Sequence, residues 1–133
     1  MSNRYKVALT VSHPDADPKS IIAAIGLPPR RQWNVGDQRT ALNGTLLDGK
    51  YPSSYCVFDL EGGAGRELSD YLGQMTKILA RCAPFIRKLR ETGGKASFYV
   101  SWEPGDHRGD TFPVELLSDM ARAGIDLGIE PLF

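Results

Sequence analysis

The chain has 133 residues, 41% of them hydrophobic and 24% charged, which suits one globular domain and leaves too little for a comfortable second. Its 16 basic and 16 acidic side chains cancel to a formal net charge of +0. Such a balance supplies no long-range pull toward phosphate backbones or anionic lipids, so neither nucleic-acid binding nor membrane binding by the whole molecule is expected.

In chain order, Met1, Ser2 and Asn3 offer no apolar signal core, and no run of about 18 apolar residues follows, so a cytoplasmic protein is expected. Tyr5, Val7, Leu9 and Val11 alternate with Arg4, Lys6, Ala8 and Thr10, the period of a half-buried strand. His13 and Pro14 turn the chain. Asp17 then reads as the N-cap of a short helix with Pro18 at its first position, Ile21, Ile22 and Ile25 on its apolar face and Gly26 as its stop.

Residues 25–37 hold the densest information. Pro28 and Pro29 fix φ and restrict the residues before them, so the segment is a rigid loop that displays Arg30, Arg31 and Trp33 before the Gly36-Asp37 turn. Residues 38–47 read as a strand entering a turn at Asn43-Gly44, with Asp48-Gly49 a second turn signal. Residues 55–58 form another strand, and residues 61–65, rich in glycine, a flexible loop.

Leu68, Leu72, Met75, Leu79, Cys82, Ile86 and Leu89 step by three or four, the stripe of a core-facing amphipathic helix. Pro84 interrupts it and predicts a kink or two abutting helices; because the stripe stays in phase, a kink is favoured. Ala96, Phe98, Val100 and Trp102 alternate as a strand. Pro113 opens a helix bearing Val114, Leu117, Met120 and Ala121, and Gly124 ends it. Ile125, Leu127 and Ile129 close the chain as a last strand. The order is β-α-β-β-α-β-α-β in a single domain, 1–133. It predicts an α+β fold: a mostly antiparallel sheet of about five strands with two to three helices packed on one face.

Taken together these elements resemble the DUF4279 family, a bacterial family of unknown function. The matching residues are Asp17-Pro18 with Ile21 and Ile22, then Leu27, Pro29, Trp33 and Gly36-Asp37. Toward the end they are Pro113, Glu115, Leu116, Leu117, Met120, Gly124 and Ile125-Asp126-Leu127. Two positions depart from the pattern. Phe112 stands where a serine or threonine cap is usual, leaving that helix start to Thr111 or water. Gly128 replaces a bulkier residue, so the last strand is expected to bulge. The resemblance implies a fold and a small standalone bacterial protein; it supplies no activity and no catalytic residue.

Each candidate site carries two readings. Arg30, Arg31 and Trp33 suit recognition of a carboxylate or phosphate, the arginines as bidentate forks and the tryptophan as an aromatic anchor; alternatively Trp33 plugs the core edge while the arginines reach solvent. Asp37 either pairs with an arginine or shapes the turn. Asp106 and His107 stand in a polar loop with a titratable imidazole, suited to acid–base work or simply to solvent. His13, Asp15 and Asp17 lack a third convincing ligand, and no metal or cofactor is expected. Cys56 and Cys82 sit among apolar neighbours and read best as buried thiols, with a disulfide or a metal pair the lesser alternative; no CxxC spacing occurs.

No nucleophile signature or phosphate-loop motif is present, so catalysis is not expected. The favoured function is a non-enzymatic protein-interaction module, immunity- or antitoxin-like. The alternative is a small-molecule or anion binder, or a weak enzyme, with a pocket between the Arg30–Trp33 loop and the Asp106–Asp110 loop. A sheet covered on one face leaves the other needing cover, which makes a homodimer a further option.

Overall fold

The alternation at the start of the chain becomes β1, Arg4–His13. A computed structural model describes it together with the rest of residues 4–63, 65–103 and 109–131. The elements that follow are α1 (Pro18–Ile25), β2 (Arg31–Trp33), β3 (Gln38–Thr40), β4 (Leu46–Lys50) and β5 (Ser54–Leu60). Then come α2 (Leu68–Leu79), α3 (Ala83–Glu91), β6 (Lys95–Glu103), α4 (Val114–Ala123) and β7 (Ile125–Pro131).

Five strands form one sheet in the order β2-β5-β1-β6-β7, while β3 and β4 make a separate hairpin. β1 runs antiparallel to β5 and β6, β2 antiparallel to β5, and β7 parallel to β6. The first four sheet strands thus have the arrangement of a split β-α-β, or ferredoxin-like, unit, and α4 carries the chain back to add β7. A parallel neighbour requires such a crossover, and α4 supplies it. The α+β class and the predominantly antiparallel sheet with helices on one side agree with the sequence reading.

Register decides which face is which. Leu9 lies across from Phe58 and from Phe98, and Val11 across from Cys56 and Ala96. These side chains form one core with Ile21, Ile25, Leu72, Met75, Ile86 and Met120 from the helices. The intervening residues, among them Lys6, Ala8, Tyr55, Asp59 and Tyr99, therefore share the opposite, open face.

Local signals hold at the helix ends. The Asp17 side chain accepts the Lys19 N–H at 2.9 Å, and Gly26 ends α1 at φ 76°. Arg81 adds a second stop, its Nη2 donating to the Ile25 carbonyl at 2.7 Å. Around Pro84 the sequence expectation is corrected. The chain is split rather than kinked: α2 ends at Leu79, a single 3-10 turn spans Ala80–Cys82, and α3 restarts with Pro84 in its first turn. Pro84 has no N–H for the Ala80 carbonyl, which the Ala83 N–H takes instead. The apolar stripe survives the break, with Cys82, Ile86 and Leu89 all buried.

Five other expectations change. Arg31–Trp33, read as loop, is an edge strand of the main sheet, whereas residues 38–47 leave that sheet for the hairpin. Asp48-Gly49 lies inside β4, where Gly49 at φ 85° accompanies a register irregularity between β3 and β4. Pro113 is itself the N-cap of α4, and no side chain caps that helix. β7 passes Gly128 without a break in register. Among the described residues no helix is long and apolar enough to cross a membrane.

Candidate functional site

The two prolines deliver an extended backbone into β2, so its side chains alternate across the sheet. Arg31 and Trp33 fall on the open face. The Trp33 ring stacks between Tyr51, at 4.1 Å and 10°, and Tyr55, at 4.5 Å and 24°. Its Nε1 donates to the Ser53 carbonyl at 3.0 Å. The Arg31 guanidinium lies 5.1 Å from the Trp33 ring centroid and donates through Nη2 to the Thr40 carbonyl at 2.6 Å. The Thr40 N–H donates to the Tyr51 hydroxyl at 3.1 Å and holds that phenol below its ordinary pKa, with Arg31 adding to the shift. Asp37 closes the turn, its Oδ2 accepting the Asn34 N–H at 3.0 Å. Arg31, Trp33 and Asp37 therefore anchor the β3–β4 hairpin to the sheet edge.

The hairpin so held is an arm. Every residue of β4 is exposed. Leu42 is 82% exposed, Leu46 70% and Leu47 38%. None of these leucines belongs to the core.

Arg30 does something different. Its Nε donates to Asp59 Oδ1 at 2.8 Å, an exposed pair of small energetic weight but definite orientation. The pair forms one wall of a cleft of about 830 Å3 on the open face. Ala8 is the floor, with Asp59 across from it on β5 and Tyr99 across on β6. Arg4 and Lys6 line the same cleft further along β1. Tyr99 makes the opposite wall; its hydroxyl donates to Glu130 Oε2, and that bond raises the phenol's pKa. A glycine loop closes one side. The Tyr5 hydroxyl donates to the carbonyls of Gly63, at 2.7 Å, and Arg66, at 3.0 Å. Burial, with Tyr71 next in effect, pushes that phenol up to about 12. A Cβ at Gly63 would stand 2.6 Å from Tyr5 Cε1, so this glycine is a packed position rather than part of a free linker.

Of the six candidate residues, the cleft takes Arg30 among the described ones. Trp33 pairs with Tyr55 toward the opposite end of β5, and Arg31 and Asp37 belong to the hairpin anchor. Asp106 and His107 lie outside the described residues. Asp110 is occupied at the start of α2, accepting the Ser69 N–H at 2.8 Å and the Ser69 hydroxyl at 3.1 Å.

His13 is buried in a turn. Its Nδ1 faces the N–H groups of Asp15, at 3.1 Å, and Ala16, at 2.9 Å, so Nε2 carries the proton toward Thr92 Oγ1 at 2.7 Å. Both ring nitrogens are thereby committed to structure. Among the described residues no three His, Cys, Asp or Glu side chains gather as a metal set.

Both cysteines are free and buried. Burial pushes the Cys56 thiol up to about 11. At about pH 8 neither thiol is expected to react with an aromatic disulfide reagent in the native protein, whereas both react in urea. Native labelling as fast as that in urea would contradict this burial.

Arg4, Lys6, Ala8 and Asp59 carry no site signal in the sequence, whereas Tyr99 and Trp102, on opposite faces of one strand, leave one of the two to be covered by a helix or to join a binding face. The first four are marked only by the polar half of each strand's alternation, which gains meaning only once strands are set side by side. Comparison of the chain with protein-family models, with curated proteins and with solved structures finds no match.

Proposed function

We propose that this chain is a non-enzymatic protein-interaction module whose working surface is the hairpin arm. One observation carries the reading: leucines that contribute nothing to the core are raised into solvent on an arm with a rigid, multiply bonded base. Folding gives no reason for Leu42 and Leu46 to be apolar; a partner that buries them does. The reading takes the concrete form of a cytoplasmic protein that neutralises its partner by covering it, as an immunity protein or antitoxin does.

It includes a place in the DUF4279 family. Much of the quoted motif has physical content here: Leu27 packs against the core, Trp33 is the centre of the stack, and Asp37 bonds the turn.

The double variant Leu42→Ser with Leu46→Ser tests the arm. Both side chains are exposed, so stability is expected to stay within about 0.5 kcal/mol of wild type. Proteins retained from a lysate of the source cell are expected to be lost from the variant. Val114→Ser with Leu117→Ser, on exposed positions of α4, is expected to retain them. Identical retention by the wild type and the arm variant would remove the reading.

A further inference from the structure

We propose that the open-face cleft binds an organic oxyanion, its charged group held by Arg4, Lys6 and Arg30 and its flat or apolar body laid on Tyr99 over Ala8. This site is separate from the arm and does not rest on the arm's role.

Ala8 is the small residue in a row that runs Asp59, Ala8, Tyr99, Gly128 across four strands. A short side chain between two larger ones makes a depression. Its volume of about 830 Å3 falls in the range usual for small-ligand sites, roughly 300–1,000 Å3. The Tyr99 ring is held on both sides. A Cβ at Gly128 would be 3.6 Å from Tyr99 Cδ2, so the ring lies over the glycine, and Glu130 accepts its hydroxyl proton. Yet Tyr99 remains 42% exposed. A fixed, exposed aromatic face beside a hollow is a platform for a flat ligand.

Arg4 and Lys6 are two residues apart on one strand and therefore point to the same face, about 7 Å apart along it. Among the described residues neither has a carboxylate within salt-bridge distance. Arg30 is aimed by its Nε bond to Asp59, which leaves its two Nη groups without a partner among the described residues. A guanidinium held at one nitrogen and open at the other two is ready to grip an oxyanion.

The cleft also contains acids. Asp59 is engaged by Arg30, and Glu61 stands in the loop at the cleft's margin; Glu103 lies across from Arg4. They limit affinity and argue for a ligand of one compact charged group, not for a polyanion. Carboxylate and phosphate monoester share this chemistry, and two probes separate them. Phenyl phosphate, with roughly 1.5 to 2 negative charges near pH 7, is expected to bind more tightly than benzoate.

The experiment titrates phenyl phosphate, benzoate, phenol and benzylamine into the 15N-labelled full chain. Amide shifts are read at Lys6, Ala8, Arg30 and Tyr99. Both anions are expected to shift these amides saturably, more weakly as salt rises, while phenol and benzylamine do not. Arg4→Ser with Lys6→Ser is expected to weaken phenyl phosphate about tenfold or more, since each removes a charge-assisted bond. Tyr99→Ala is expected to weaken phenyl phosphate but to leave inorganic phosphate little changed. All three positions are exposed, so the variants should fold; an unchanged spectrum elsewhere verifies it. Three results overturn the proposal: neither anion binds at about 10 mM, the Arg4/Lys6 variant binds as wild type does, or benzylamine binds as well as the anions.

Discussion

Trp33→Ala is expected to free the hairpin arm from the sheet. The substitution removes two stacked ring contacts, one cation–π contact and the bond to the Ser53 carbonyl. Stacked pairs contribute about 0.5–1.5 kcal/mol each beyond burial, and a cation over tryptophan adds about 0.5–1 kcal/mol at an exposed site. With the lost apolar area the total comes to about 3 kcal/mol, the lower end of the range for cutting a large aromatic to alanine.

The consequence is local before it is global. Two backbone bonds close the hairpin base, the Gly36 N–H donating to the Tyr51 carbonyl and the Tyr51 N–H to the Asp37 carbonyl, each at 2.9 Å. Hydrogen exchange at these amides is expected to quicken more than at Leu9 or Phe98, which lie in the core strands. Trp33→Phe is the informative companion. It keeps a ring between Tyr51 and Tyr55 and loses only the indole bond, at a cost of about 1 kcal/mol. Equal protection of the hairpin amides in Trp33→Ala and wild type would mean that the stack is not what holds the arm. The same variant links structure to the proposed function, because an arm that swings freely loses the preorganised display of Leu42 and Leu46.

Phe98→Ala is expected to cost about 3–5 kcal/mol, measured as a fall in urea midpoint at constant slope. Phe98 is fully buried on β6, across from Leu9 of β1 and beside Leu127 of β7. Its ring is part of the core that Leu72, Ile86 and Met120 supply from the helices. Alanine there leaves a void that rigid strands on both sides cannot close. Against a total of about 5–15 kcal/mol for a typical domain, the loss removes about a fifth of the margin or more. A change below about 1 kcal/mol would mean that the core collapses around the gap, contrary to the packing described. Tyr99→Ala, one residue along the same strand but on the open face, is expected to cost far less; the contrast tests the assignment of faces directly.

Much of the fold was legible because its signals are local. The alternation of Val7, Leu9 and Val11, the Asp17 cap before Pro18 and the positive φ of Gly26 and Gly124 depend on neighbours within one or two turns. The helix stripe from Leu68 to Leu89 was equally plain, but its continuity concealed the break at Ala80–Cys82. Phase records which face is buried. It does not record how the backbone pays one missing N–H.

The candidate site was legible only in part. Arg30, Arg31 and Trp33 stood out by residue type, yet neighbours in sequence have different employment in space. Alternation along β2 places Arg31 and Trp33 on one face, while Arg30, just before the strand, meets Asp59. Lys6 reads as the solvent half of its strand, and Tyr99 as one of two aromatic residues on opposite faces of another. They line one cleft because β1 and β6 pair in the register that sets Ala8 beside Tyr99.

By itself, then, the sequence determined the kind of most elements, the α+β class and the core positions of β1, β6 and the Leu68–Leu89 stripe, because capping, φ restriction and apolar period act over a few residues; on α4 the buried face is Leu116, Met120 and Ala123, while Val114, Leu117 and Ala121, expected to face the core, are exposed. The tertiary structure alone decided the strand order, the parallel return of β7, the recruitment of Arg31–Trp33 as an edge strand and the cleft above Ala8. Each of these rests on partners distant along the chain. A three-residue strand has no periodicity to read; it exists because β5 supplies its hydrogen bonds and because Tyr51 and Tyr55 close around Trp33.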